Sequence, residues 1–103
     1  MVEKIRNENR ENKVSFLRGI FDAEGSVHKR RFTINLSNKK DEVIELCKDL
    51  LSELQIRTGK IEKMKRNVKR LHIYGKDNLQ KFQELIGFSH PEKAKRLESL
   101  LSR

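Results

Sequence analysis

Tryptophan is absent from these 103 residues, and cysteine, proline and tyrosine occur once each. A single thiol excludes an internal disulfide, and one proline excludes a proline-rich linker. The five glycines are scattered, so no flexible linker or low-complexity segment divides the chain. No apolar run approaches the roughly 20 residues of a membrane-spanning helix. The opening "MVEKIRNENRENK" is polar where a signal peptide would carry its apolar segment. The expectation is a cytoplasmic protein with no membrane partner. Acids are also short, 15 against 24 Lys and Arg, for a formal net charge of +9. That excess is beyond what solubility requires and points to a polyanionic partner, nucleic acid ahead of anionic lipid. A chain of this length buries one modest core, so one domain is expected.

Residues 1–12 form a polar arm, frayed or helical, with only Val2 and Ile5 as aliphatic anchors; the domain runs from 13 to 103. In "VSFLRGIFDA" the bulky residues Val14, Phe16, Leu17, Ile20 and Phe21 recur at helical spacing, and Gly25 stops the helix as a left-handed C′ residue would. Ser26 to Lys29 reads as a short strand, joined by a tight basic turn to a second in which Phe32, Ile34 and Leu36 alternate with polar residues. From Lys40 the period becomes helical through Val43, Leu46, Cys47, Leu50, Leu51 and Leu54, which makes Cys47 a small buried hydrophobe. Two further strands lie between Arg57 and Tyr74, with Ile61 in the first, Leu71 and Ile73 in the second, and "RN" at 66 and 67 as the turn. A third helix ends at Gly87, and "SHPE" from Ser89 offers a capping box for a fourth. The order is α-ββ-α-ββ-α-α, an α+β fold with a four-stranded antiparallel sheet and helices on one face.

Two features carry chemistry. Between Arg57 and Arg70 stand seven Lys or Arg residues against one acid, Glu62. Lys60, Lys63, Arg66, Lys69 and Arg70, with Lys29, Arg30 and Arg31 of the first hairpin, are expected on the uncovered strand surface. A basic ribbon of that kind enters the major groove of duplex DNA, where cations meet phosphates and polar side chains read base edges. Thr33, Asn35, Ser37, His28, His72 and Tyr74 are the polar and aromatic candidates on that face; the bland reading is a solvated charged surface.

The second feature is "SFLRGIFDAEGSV", where Asp22 and Glu24 sit at a helix C-terminus, disfavoured there by about 0.3 to 1 kcal/mol each. Arg18 can reach Asp22 at i, i+4, whereas Glu24 has no such partner, and a divalent cation would supply one. Ser15, Gly19 and Ala23 form a stripe of small residues on the opposite side from Phe16 and Ile20, and a glycine inside a helix suggests close packing of something against the backbone. A second copy of the helix about a two-fold axis would bring two Glu24 carboxylates together, and such a pair needs cations.

"LRGIFDAEG", Leu17 to Gly25, resembles the LAGLIDADG motif of the homing endonucleases, with Leu17, Gly19, Asp22, Ala23 and Gly25 identical and Arg18 in place of alanine as the clear departure. The element order is similar to that family's core fold. The resemblance implies a homodimeric, Mg²⁺-dependent double-strand DNA endonuclease, since one motif per chain is the homodimeric pattern; Ca²⁺ or Mn²⁺ are possible substitutes. It also implies that the gene belongs to a mobile intron or intein. By the same resemblance Glu24 and the carbonyl of Ala23 ligate metal, Asn38 orients water, and Lys93 is the basic residue of the active site, with Lys95 close behind. Strict alternation turns Asn38 coreward, so its role calls for a bend. Alternatives on the same scaffold are a DNA-binding regulator without cleavage and a splicing maturase acting on RNA; a generic RNA-binding domain is weaker, because only Tyr74 offers a stacking ring.

Overall fold

The computed structural model describes residues 2–103. Its elements are α1 (Val2–Arg6), α2 (Arg10–Glu24), β1 (Gly25–Val27), β2 (Thr33–Asn38), α3 (Asp41–Glu53), β3 (Glu62–Lys63), β4 (Lys69–Tyr74), α4 (Lys76–Leu85) and α5 (Pro91–Leu101). The four strands form one antiparallel sheet in the order β1-β2-β4-β3, with Gly25 opposite Leu36, Leu36 opposite Leu71 and Ile34 opposite Ile73. Alternation does what the pattern predicts. Val27, Ile34, Leu36, Leu71 and Ile73 are buried on one face, where they meet Leu17 and Phe21 of α2, the apolar stripe of α3, and Leu79, Phe82, Leu97 and Leu100 of the last two helices.

The long central helix matches its periodicity closely, with Val43, Ile44, Leu46, Cys47, Leu50 and Leu51 buried and Asp41 and Glu42 in the first turn, where the helix dipole favours acids. Cys47 is fully buried, and its thiol is pushed up to about 12 by burial first and by the charge of Glu24 second. The cysteine is a packing residue.

Elsewhere the sequence misplaces boundaries, each for a local reason. The motif helix starts at Arg10, because Asn9 caps it by accepting from the Asn12 N–H. The N-terminal stretch takes the helical form: α1 lies against α3, with Arg6 paired to Asp49 and Val2 and Ile5 partly buried on the core. Ser26–Lys29 is shortened to Gly25–Val27, and the connection is a five-residue loop, 28–32, organised by His28, whose Nδ1 accepts from the N–H groups of Arg30 and Arg31. Ile61 lies outside any strand, since β3 has two residues and the segment before it touches the sheet only through the bridge of Thr58 with Ile73. The "RN" turn is where expected; Arg66 and Asn67 both have φ of 62°, and the Val68 N–H closes on the Lys65 carbonyl, as in a type I′ hairpin. The last helix is capped by His90 instead of Ser89. This shift puts Pro91 at the first helical position, and the capping acceptor is the imidazole Nδ1.

Candidate active site and nucleic-acid interface

The motif helix does not end on a left-handed glycine. Gly25 has φ −81° and ψ 161°, so the chain passes from helix directly into β1. Its lack of a side chain is required by space: a Cβ there would sit 2.7 Å from the Phe21 carbonyl oxygen and 2.8 Å from the Phe21 ring. The sharp entry into the sheet places Glu24, the last helical residue, beside the end of β2.

The charges at this helix end are bonded mostly to backbone. Asp22 Oδ1 accepts from the N–H groups of Ser89 (2.9 Å) and His90 (3.0 Å), so this acid organises the start of α5. Lys93 Nζ returns to α2, donating to the carbonyls of Phe21 (3.3 Å) and Asp22 (2.5 Å). A cation on the last carbonyls is the favourable complement of the helix dipole. Arg18 does not pair with Asp22 as its spacing suggested. Its Nε donates 2.8 Å to the carbonyl of Ile86 and joins α2 to the end of α4, which gives the departure from the motif's alanine a structural role.

Glu24 is treated differently. It is exposed, and its Oε2 accepts from Asn38 Nδ2 at 2.7 Å, while Asn38 Oδ1 accepts from the Lys40 N–H. Asn38 needs no bend to arrive there: alternation turns it to the helix-facing side, and that is the side on which Glu24 emerges. Glu24 and Asn38 share an open cleft of about 420 Å³ with Ser37, Lys39, Lys40 and Val68. The two lysines were missed by sequence reading; the signal available was their adjacency to Asn38 at a strand end.

A divalent ion would need more than one chain supplies. No group of three acid, His or Cys side chains gathers among the described residues. The donors that are present fit half of a shared oxygen site: one exposed carboxylate without a cationic partner among the described ion pairs, and the carbonyl of Ala23, adjacent to those held by Lys93.

The small stripe is on the outside. At 100° per residue Ser15, Gly19 and Ala23 lie opposite Leu17 and Phe21, which are buried, and beside Phe16 and Ile20, which are partly exposed. The stripe is therefore continuous with Phe16 and Ile20, contrary to expectation. A Cβ on Gly19 would meet nothing within 4 Å, so nothing inside the chain requires glycine there.

The outer sheet face carries Ser26, Thr33, Asn35, Ser37, Glu62, Arg70, His72 and Tyr74 by register. Arg70 Nε donates to Ser37 Oγ, and His72 lies between Asn35 Oδ1 and Glu62. Tyr74 is 49% exposed, its ring against Gly59 and stacked on His72. Two expected members of this face are elsewhere. Lys69 opposes Asn38 on the helix-facing side and pairs with Asp41 at 3.1 Å, and Lys63, its cross-strand partner, shares that side. His28 is in the loop beyond β1 with Arg30 and Arg31, Arg66 is exposed at the second hairpin's tip, and Lys60 is exposed before β3.

Sheet, helix end and stripe together define a single-sheet α+β unit with one basic polar face and one solvent-facing motif helix. Residues 11–87 match the family model described as a LAGLIDADG-like domain, and the chain belongs to the LAGLIDADG homing endonuclease family. It is 32% identical over 92 residues to homing endonuclease I-ApeI of Aeropyrum pernix, covering 87% of this chain and 41% of that one. It is 36% identical over 89 residues to a probable translation initiation factor IF-2 of Pyrococcus horikoshii, covering 86% of this chain and 8% of that protein. The chain thus spans under half the length of either relative. Among solved structures, I-DmoI in complex with DNA and Mn superposes with a TM-score of 0.70 at 27% identity, over 84% of this chain and 48% of that one. Full-length DUF199/WhiA superposes at 0.69 and 26% identity, over 88% and 33%.

Proposed function

We propose that this chain is a DNA endonuclease that acts as a homodimer with Mg²⁺, cutting one phosphodiester in each strand of a long pseudo-palindromic site. The observation that carries this reading is the contrast at the end of α2, where Asp22, Lys93 and Arg18 are bonded to backbone and Glu24 is exposed toward a lysine-lined cleft. Pairing two copies through Ser15, Gly19 and Ala23 would bring two Glu24 carboxylates together and complete the oxygen set. The match to I-DmoI over 48% of its length supports a requirement for a second copy. Other structures of I-DmoI hold DNA with Ca or with Mg, which supports use of a divalent ion by this chain.

Within the site, Glu24 and the Ala23 carbonyl would hold the ion, and Asn38 holds the carboxylate in place. When bound, a divalent ion polarises the phosphate and lowers the pKa of a coordinated water. Lys39 and Lys40 face the same cleft and can stabilise charge developing on phosphate oxygens. Lys93, expected as a catalytic group, acts in this arrangement through the helix end that it holds. On the sheet, Arg30, Arg31, Lys60 and Arg66 would meet phosphates, and Thr33, Asn35, Ser37, Arg70, His72 and Tyr74 would face base edges.

DNA binding without cleavage is the second reading, favoured by the similar superposition on WhiA, which is not named as a nuclease. Plasmid-library cleavage with Mg²⁺ separates the two. The wild type is expected to cut, and to scatter light as a dimer when bound to DNA. Glu24→Gln is expected to keep DNA binding and lose about 10² to 10⁴ in cleavage rate, the equivalent of several kcal/mol of charge stabilisation. Specific binding by a wild type that never cuts would establish the regulator; normal cutting by Glu24→Gln would place the active site elsewhere.

A further inference from the structure

We propose that Glu62, acting through His72, fixes the side-chain amide of Asn35 as a hydrogen-bond donor toward DNA, so that these three residues form a specificity-determining unit on the sheet. The proposal rests on the DNA-binding reading above and deepens it, by stating how one position of the sheet selects its base pair.

Glu62 is the single acid among the seven cations between Arg57 and Arg70. A carboxylate on a face that approaches phosphates is repelled by them, so its position calls for a local reason. Its cross-strand neighbour by register is Arg70, whose Nε bonds to Ser37. The Glu62 carboxylate lies instead 2.8 Å from His72 Nε2. The imidazole has little freedom: the side chain is 13% exposed, and its ring stacks on Tyr74 with centroids 5.3 Å apart and 16° between planes. Held in that way, the ring aims Nδ1 at Oδ1 of Asn35, the residue directly opposite it in the β2–β4 ladder.

This arrangement decides which half of the amide remains for a partner. Asparagine reads adenine with both ends of its side chain, accepting from N6 and donating to N7. In this protein Oδ1 faces the His72 ring, and the Nδ2 group, with two N–H donors, is left over. A donor-only group complements acceptor edges in the major groove, guanine N7 and O6 or thymine O4. It cannot form adenine's two-bond pattern, and it opposes the N4 donor of cytosine. The sequence shows only an asparagine on a strand; the choice between its two readings is made by a residue on the neighbouring strand and an acid on the one beyond.

The test is site selection from a random duplex library by binding alone, without a cleavage step, using the wild type, His72→Phe, Glu62→Ala and Glu62→Gln. The wild type is expected to prefer guanine or thymine at the base pair under Asn35 in each half-site. His72→Phe keeps a ring against Tyr74 and removes the donor, so Oδ1 is released and preference at that base pair should move toward adenine by about tenfold. Glu62→Ala should move it in the same direction by less. Glu62→Gln should keep the wild-type choice, because its amide oxygen can still accept from Nε2. Both Glu62 variants lose an anion and should bind all duplexes more tightly, so a change common to both reports charge and a change in Ala alone reports the fixed amide. If His72→Phe fails to fold, the exposed Glu62→Ala carries the same comparison. Selection of the wild-type base by both His72→Phe and Glu62→Ala would overturn the proposal and leave DNA binding intact. A wild type that enriches no sequence would remove the DNA-reading function and this proposal together.

Discussion

The last turn of α2 and the outer face of the sheet both hold polar and charged groups close together, and they hold them differently. At the helix end, side chains bond to main chain: Asp22 to two N–H groups before α5, Lys93 to two carbonyls of α2, Arg18 to the carbonyl of Ile86. On the sheet, side chain meets side chain, Arg70 with Ser37 and Glu62 with His72. Main-chain partners cannot be re-aimed without moving an element, so the helix end is rigid and suited to fixing Glu24. Side-chain partners can re-pair one at a time. A surface of that kind can change what it reads without changing the fold.

The largest effect is expected where the helix end has no room. In Gly25→Ala the new methyl would sit 2.7 Å from the Phe21 carbonyl oxygen and 2.8 Å from its ring, and that ring is buried edge-on against Phe82 at 4.9 Å. Either the turn or the ring must shift. Overpacking of this kind costs about 1 to 3 kcal/mol, to be read as a lower denaturation midpoint at unchanged m-value. A stability equal to wild type would show that the passage from α2 into β1 is looser than these distances imply.

Next comes Asp22. Asp22→Ala leaves the Ser89 and His90 N–H groups to water and is expected to cost about 1 to 2 kcal/mol, the scale of a lost helix cap. Asp22→Asn keeps an oxygen acceptor and should recover most of that loss. The pair of variants separates hydrogen bonding from charge. If Asn is as damaging as Ala, the carboxylate's charge matters at this point, and the backbone-capping account of Asp22 needs replacing.

Sequence reading succeeded where one periodicity governed a whole element. The α3 stripe and the alternation of Ile34 and Leu36 with polar neighbours identify buried residues because the core decides them, and the motif "LRGIFDAEG" located Glu24 because its residue types follow from a shared geometry. It failed where distant backbone decides the outcome. Arg18 was matched to Asp22 by helical spacing, but Ile86, far along the chain, presents a carbonyl that the sequence cannot display. Lys93 was brought to the motif helix by resemblance, and its bonds to the Phe21 and Asp22 carbonyls depend on the start of α5 at Pro91, one residue later than the capping pattern suggested. Lys63 and Lys69 were grouped with Arg70 by composition, which carries no information about face.

That last error gives the smallest effect and the finest comparison. Arg31 and Lys69 look alike in the sequence, as cations beside strands. Arg31 is exposed in the first hairpin loop, where His28 shapes the backbone, whereas Lys69 has a side chain 13% exposed and an ammonium 3.1 Å from Asp41. If the outer face and its loops meet phosphates, Arg31→Ala should lower the slope of log K against log salt by about 0.9 for each phosphate that the arginine neutralised. Lys69→Ala should leave the slope unchanged. Its cost should appear in stability, at most about 1 kcal/mol, because Asp41 is largely exposed and the pair is screened. Equal slope changes in the two variants would mean that charge acts here only as a total; a change in Lys69→Ala alone would bring phosphate to the Glu24 side of the sheet and away from the face that Asn35 and His72 occupy.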